Sequence, residues 1–210
     1  MPRKNSKRVT SVTTEKHFTT VPVKAKFAEV AKAAPVAAIV APVAPAPAVD
    51  IKSLTKALHD IDADVAREAA TALGTSGNAA AVEPLIEVVR NSNGYFHSVV
   101  RSAAAASLGQ LKDRRAIEAL LHAVHDPITD PSTEAIRALT ALADPRAIAA
   151  LVEVVRNTNG FFAGSVRRAA VLGLAKLGGE TAIAELKRVA AADQEDTVIR
   201  QEAATAVAGK

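Results

Sequence analysis

From residue 51 onward the chain repeats itself, and the repeat narrows the possible folds more than any other feature. Five segments align: IKSLTKALHD from Ile51, VEPLIEVVRN from Val82, IEALLHAVHD from Ile117, IAALVEVVRN from Ile148 and IAELKRVAAA from Ile183. Each opens on Ile or Val with Leu three residues on, at Leu54, Leu85, Leu120, Leu151 and Leu186. The first four keep an apolar residue four further along, at Leu58, Val89, Val124 and Val155. Spacings of three and four place these side chains on one stripe of a helix. A second helical pattern follows each segment: VAREAATAL ending at Leu73, VRSAAAASL at Leu108, PSTEAIRAL at Leu139, VRRAAVLGL at Leu174 and IRQEAATAV at Val207. First-helix anchors step by 31, 35, 31 and 35 residues, and second-helix anchors by 35, 31, 35 and 33. A lone helix pair cannot bury its apolar stripe, so five pairs in tandem must stack into a solenoid. The expected fold class is all-α: an α-α superhelix of five helix pairs, with repeats starting near residues 51, 82, 117, 148 and 183.

Composition supports helices that approach closely. The apolar half of the chain is mostly Ala and Val, with one Met, one Tyr and no Trp, and Ala has the highest helix propensity. The absence of Cys excludes disulfides, thiolate metal sites and Cys nucleophiles.

The repeats resemble HEAT repeats, in particular the short HEAT-like units of the phycobilisome-lyase type. The resemblance rests on the 31-residue unit, the run DPRAIAALVEVV (Asp144 to Val155) and the run VRRAAVLGLAKLG (Val166 to Gly178), and covers about residues 51–210. It implies an armadillo-like helical solenoid. It says little about function, because this scaffold serves many roles.

Before the repeats the sequence is of another kind. Residues 1–49 carry eight Lys/Arg against two acids, leaving +6, whereas residues 50–210 carry 18 against 20, leaving −2. The basic character therefore belongs to the tail. Residues 1–34 are expected to form a disordered basic tail, although VKAKFAEVAKAA (Val23 to Ala34) has the pattern of a short amphipathic helix. Residues 35–50 form an Ala/Pro/Val-rich linker with polyproline-II character. The run Ala33 to Val49 contains four prolines and is too short to span a membrane. Nor does it follow a signal-peptide plan, so a cytoplasmic location is expected.

Two stretches stand out within the repeats: NSNGYFHS (Asn91 to Ser98) and NTNGFFAG (Asn157 to Gly164). They hold four of the six aromatic residues of the chain, 66 positions apart. They also hold the four extra residues of the longer units. Two readings stand open: an added turn on the second helix, with Phe96 and Phe162 continuing the stripe through Val100 and Val166, or a true loop. The loop would turn at Asn93–Gly94 and Asn159–Gly160, with Ser165 as a helix N-cap. In both, Phe96 and Phe162 belong to the core. Tyr95 and Phe161 are left over, so Tyr95, Phe161, Asn93 and Asn159 are the candidate protein-binding residues.

Other candidates reduce to structure. His122 and His125 have a spacing that two metal ligands can use. But His125 aligns with His59, Arg90 and Arg156 as a repeated basic position in the last helical turn, where a cation meets the helix dipole. No metal site and no cofactor are expected. Arg101, Arg167 and Arg200 align at the start of second helices. In HEAT repeats an Arg there commonly joins an Asp in a ladder between repeats, but Ala66 and Ser132 interrupt the pattern here. Arg3, Lys4, Lys7 and Arg8 are the candidate phosphate-binding residues of the tail. No catalytic triad, carboxylate pair or phosphate-cradling loop is present. No His is followed by Glu as in HEAT-like hydroxylases, and no Trp is present to hold an extruded nucleoside. The sequence therefore points to a non-enzymatic scaffold or adaptor that binds a protein. The alternative is nucleic-acid association through the tail, followed by a bilin-lyase-like or other catalytic HEAT protein.

Overall fold

The computed structural model describes residues 50–209. It contains ten α-helices: α1 (Ile51–Ala57), α2 (Ala63–Thr75), α3 (Val82–Arg90), α4 (Ser98–Leu111), α5 (Ile117–Ala123), α6 (Thr129–Leu142), α7 (Arg146–Arg156), α8 (Gly164–Leu177), α9 (Glu180–Ala190) and α10 (Thr197–Ala208). The odd and even helices are the first and second members of five stacked pairs, the all-α solenoid that the two periodicities require. No strand occurs among the described residues. The tail residues Arg3, Lys4, Lys7 and Arg8 lie outside those residues, as do the expected helix at 23–34 and all of the linker before Asp50.

Local chemistry sets the helix ends. Asp50, Asp62 and Asp196 cap α1, α2 and α10, each accepting a backbone N–H from the first turn. The short turns Ala79–Ala81 and Arg114–Ala116, capped by Asn78 and Asp113, lead into α3 and α5.

The even helices pack in unbroken succession, α2 on α4, α4 on α6, α6 on α8 and α8 on α10. Small residues allow this. A Cβ on Gly74 would lie 2.8 Å from the Ser107 backbone, and one on Gly109 would lie 2.9 Å from that of Ala138. In the next seam the roles reverse: Gly173 leaves room for Thr140, whose hydroxyl would lie 2.8 Å from an added Cβ. The first three of the four seams thus pair a glycine with a small partner. Ser107 Oγ also donates to the Ala70 carbonyl across its seam at 2.9 Å. The leucine anchors Leu73, Leu85, Leu108, Leu120, Leu139, Leu151, Leu174 and Leu186 form the continuous core between the two rows.

Arginine–carboxylate pairs tie neighbouring repeats on the other row. Arg115 bonds Glu83, Arg146 bonds Glu118, and Arg156 bonds Glu185. Asp144 is buried and accepts from the Arg146 side chain at 2.9 Å, the Arg146 N–H at 3.0 Å and Arg114 at 2.9 Å. The Arg146 guanidinium, its backbone N–H and Arg114 together hold the Asp144 carboxyl well below the usual carboxylate range. For Glu185, burial pushes the carboxyl up, but hydrogen bonds from Arg156 and Arg188 more than offset this and leave it lowered.

A carboxylate with a depressed folded-state pKa stabilises the fold above its unfolded pKa. That stability is lost as pH falls through the ordinary range toward the folded value. The urea midpoint of the wild-type chain is therefore expected to decline as pH drops from about 5 to 3. The decline should be shallower in Asp144→Asn/Glu185→Gln. Equal slopes in a pH series of urea titrations would remove these two carboxylates from the acid response.

Candidate functional site

The two aromatic stretches are loops, not extra helical turns. Asn91 caps the C-terminus of α3 and Asn157 that of α7, each in the left-handed conformation with φ 44°. Asn accepts this conformation more readily than most residues. The side chain then closes the loop: Asn91 Oδ1 accepts the Phe96 N–H at 2.8 Å, and Asn157 Oδ1 accepts the Phe162 N–H at 2.8 Å. Inside each loop a tight turn brings the Gly94 N–H to the Asn91 carbonyl and the Gly160 N–H to the Asn157 carbonyl. Both glycines have positive φ, as the Asn–Gly turn reading requires. The expected N-cap at Ser165 is a miss. The cap falls two residues earlier, at Ala163, which makes no side-chain hydrogen bond to the first turn of α8. In the other loop His97 caps α4 through Nδ1, which accepts the Val99 N–H at 3.4 Å.

Phe96 and Phe162 are buried, at 8% and 6% exposure, and Tyr95 and Phe161 stand out at 56% and 50%. Each outer ring meets its inner neighbour edge-on, with centroids 5.3 Å apart for Tyr95–Phe96 and 5.0 Å for Phe161–Phe162. The inner rings pack on histidines of the preceding repeat, Phe96 on His59 at 5.2 Å and Phe162 on His125 at 5.5 Å. His59 and His125 therefore do more than meet a helix dipole, a role that the sequence reading missed. The clue was numerical: they are separated by the same 66 residues as the aromatic pairs. Tyr95 Oη also donates to the His59 carbonyl at 2.8 Å.

Arginines anchor the loops from behind. Arg101, itself buried, grips Asp126 of the next repeat through Nε and Nη2 at 2.7 and 2.8 Å, and donates from Nη1 to the Phe96 carbonyl at 2.6 Å. Arg167 bonds Glu195 of the next repeat and the Val155 carbonyl. The ladder is thus present at alternate repeats. At one gap, Ser132 Oγ donates to the Val124 carbonyl instead.

Large apolar side chains are exposed at this edge among polar ones. Ile61 is 99% exposed and Ile128 is also solvent-facing. Beside Tyr95, Ile61 joins Leu58, Asp60 and His97 around a cleft of about 250 Å³. The Asn159 side chain accepts the Phe161 N–H at 3.1 Å. The Asn93 side chain has no hydrogen bond among the described residues, although both Asn side chains are exposed.

A second surface lies along the even helices and was not visible as a sequence motif. Between α6 and α8 a cleft of about 470 Å³ is lined by Thr133, Arg137, Thr140, Arg168, Leu172 and Lys176 among others. Arg137 is bound to Glu134 and Arg168 to Glu202. These residues come from different repeats at unrelated positions, so only the packing brings them together. Among the described residues, no group of three or more His, Asp or Glu is placed to hold a metal ion, and no helix is long and apolar enough to cross a membrane.

Known proteins place this architecture. A stretch of 54 residues is 54% identical to the phycocyanobilin lyase subunit alpha of Picosynechococcus sp., covering 26% of this chain and 19% of that subunit. The chain thus spans about a fifth of the length of this curated relative. The solved complex of CpcE and CpcF of phycocyanin lyase from Nostoc sp. superimposes over 80% of this chain and 69% of that one. Its TM-score is 0.61 at 21% identity, a likeness of fold alone. The sequence model of HEAT repeats matches residues 51–133 and 129–208, and the chain belongs to the HEAT-repeat family.

Proposed function

We propose that the chain is a protein-docking scaffold and that its partner binds the loop edge through Tyr95 and Phe161, flanked by Asn93 and Asn159. The observation that carries this reading is the division of labour within each aromatic pair. The inner ring is buried, while the outer ring meets it edge-on and is left half in water. Tyrosine is among the side chains enriched where binding energy concentrates at protein interfaces. The two sites repeat at the same place in alternate units, so a partner can engage both at once, with the gain in avidity that double attachment gives.

The test is a paired one. In Tyr95→Ser/Phe161→Ser the melting temperature is expected to stay within about 4 °C of wild type, since surface substitutions cost little. Affinity capture with the full chain should then yield a protein that the variant no longer retains. A large drop in melting temperature would make the outer rings structural, and equal capture by both chains would place the docking surface elsewhere.

A second reading is favoured by the 54% identical stretch shared with a phycocyanobilin lyase subunit. In it, the cleft between α6 and α8 takes a carboxylate-bearing pigment, with Arg137, Arg168 and Lys176 on the acids and Leu172 and Ala169 on the apolar body. The chain would then work as part of a lyase and not as a plain adaptor. Titrating phycocyanobilin into the chain distinguishes the two. A shift of the pigment absorbance that Arg168→Ala weakens supports the lyase reading, and an unshifted spectrum removes it. Nucleic-acid association through Arg3, Lys4, Lys7 and Arg8 has no observation of this kind behind it.

A further inference from the structure

We infer that Asn93 is a site of spontaneous deamidation, and that the fold makes it react faster than its sequence counterpart Asn159. In an Asn–Gly pair the backbone nitrogen of the glycine attacks the side-chain amide carbon of the asparagine. The new C–N bond closes a succinimide, ammonia leaves, and one water then opens the ring to aspartate or isoaspartate. Glycine favours the reaction because no side chain obstructs the approach, and a Cβ built on Gly94 or on Gly160 would meet nothing within 4 Å.

The two loops match in every respect that bears on the attacking nitrogen. Gly94 and Gly160 have φ of +66° and +70°, and their N–H groups donate to the Asn91 and Asn157 carbonyls at 2.8 and 2.9 Å. They differ at the asparagine under attack. Asn159 Oδ1 holds the Phe161 N–H at 3.1 Å, a bond that must break before the side chain can swing onto Gly160. The Asn93 side chain makes no such bond among the described residues. Asn91 and Asn157 stay out of the reaction, since their Oδ1 atoms are committed to Phe96 and Phe162 and neither precedes a glycine.

The product changes the loop in two ways. A carboxylate appears in a cleft of about 250 Å³ already lined by Glu83, Glu87 and Arg90, two positions before Tyr95 in the chain. Isoaspartate also inserts a methylene into the backbone between Asn91 and the buried Phe96.

The experiment incubates the full chain at mildly alkaline pH, folded and in concentrated urea, and follows both Asn–Gly peptides by mass spectrometry. Asn93→Gln, whose ring closure is slower, confirms the peptide assignment. In the folded chain Asn93 should convert roughly two- to tenfold faster than Asn159, the factor that one ordinary hydrogen bond confers. In urea the two rates should converge. Equal or inverted rates in the folded chain would overturn the inference, and so would a ratio that survives in urea, because flanking residues would then be the cause. Conversion of neither site in the folded chain, with both converting in urea, would overturn it too.

Discussion

Arg101→Ala is expected to lower the stability of the repeat body by about 3–5 kcal/mol, the range for removing one partner of a buried ion pair. At roughly 2–4 °C per kcal/mol for a domain of this size, the fall in melting temperature is large and easily read by circular dichroism. The reason lies in what remains behind. Asp126 is left nearly without solvent, and the Phe96 carbonyl loses its 2.6 Å donor. One substitution therefore loosens both the junction between the second and third repeats and the aromatic loop seated on it. Arg101→Lys keeps the charge but cannot serve two oxygens and a carbonyl with a planar fork, so it should fall between wild type and alanine. A lysine variant that melts like wild type would mean that charge alone suffices and that the fork geometry contributes nothing.

The second large effect separates two adjacent rings. Phe162→Ala empties a buried site against His125 and should cost about 3–5 kcal/mol, whereas Phe161→Ala, at 50% exposure, should cost under about 1 kcal/mol. Comparing urea midpoints of the two single variants isolates burial from composition, because each removes the same side chain from the same loop. Similar midpoints would mean that the loop does not hold its inner ring as described, and the division between buried and exposed rings on which the docking proposal rests would go with it.

These contrasts also show where the sequence was legible. Helix existence was readable because apolar residues recur at three and four, and two independent registers agreed on five pairs. The choice between loop and added turn was not. Both readings placed Phe96 and Phe162 in the core, and what decides is the left-handed Asn91 and Asn157 with their side-chain bonds to residues five further on. Spacing cannot show that geometry. The arginine ladder is broken at Ala66 and Ser132, as the aligned positions indicate, but those positions do not reveal the partners of Arg101 and Arg167. The partners Asp126 and Glu195 belong to the next repeat, where they occupy different places in the sequence. The cleft between α6 and α8 was illegible for a related reason, since its walls come from separate repeats and carry no shared motif.

The alternation of these junctions sets how such a chain can grow. Arginine sits in the second and fourth units and its acid in the third and fifth, so two kinds of joint follow one another along the stack. Adding one unit would set like against like, an arginine facing a repeat without its carboxylate. Copying the 66-residue block from Ile117 to Ala182 behind itself would present Arg167 with a second Asp126, but Arg156 would then meet Ala119 where it now bonds Glu185. Growth by pairs of units therefore keeps the buried arginine joint intact, while the exposed ion pairs of the other row have to be refitted at the new junction.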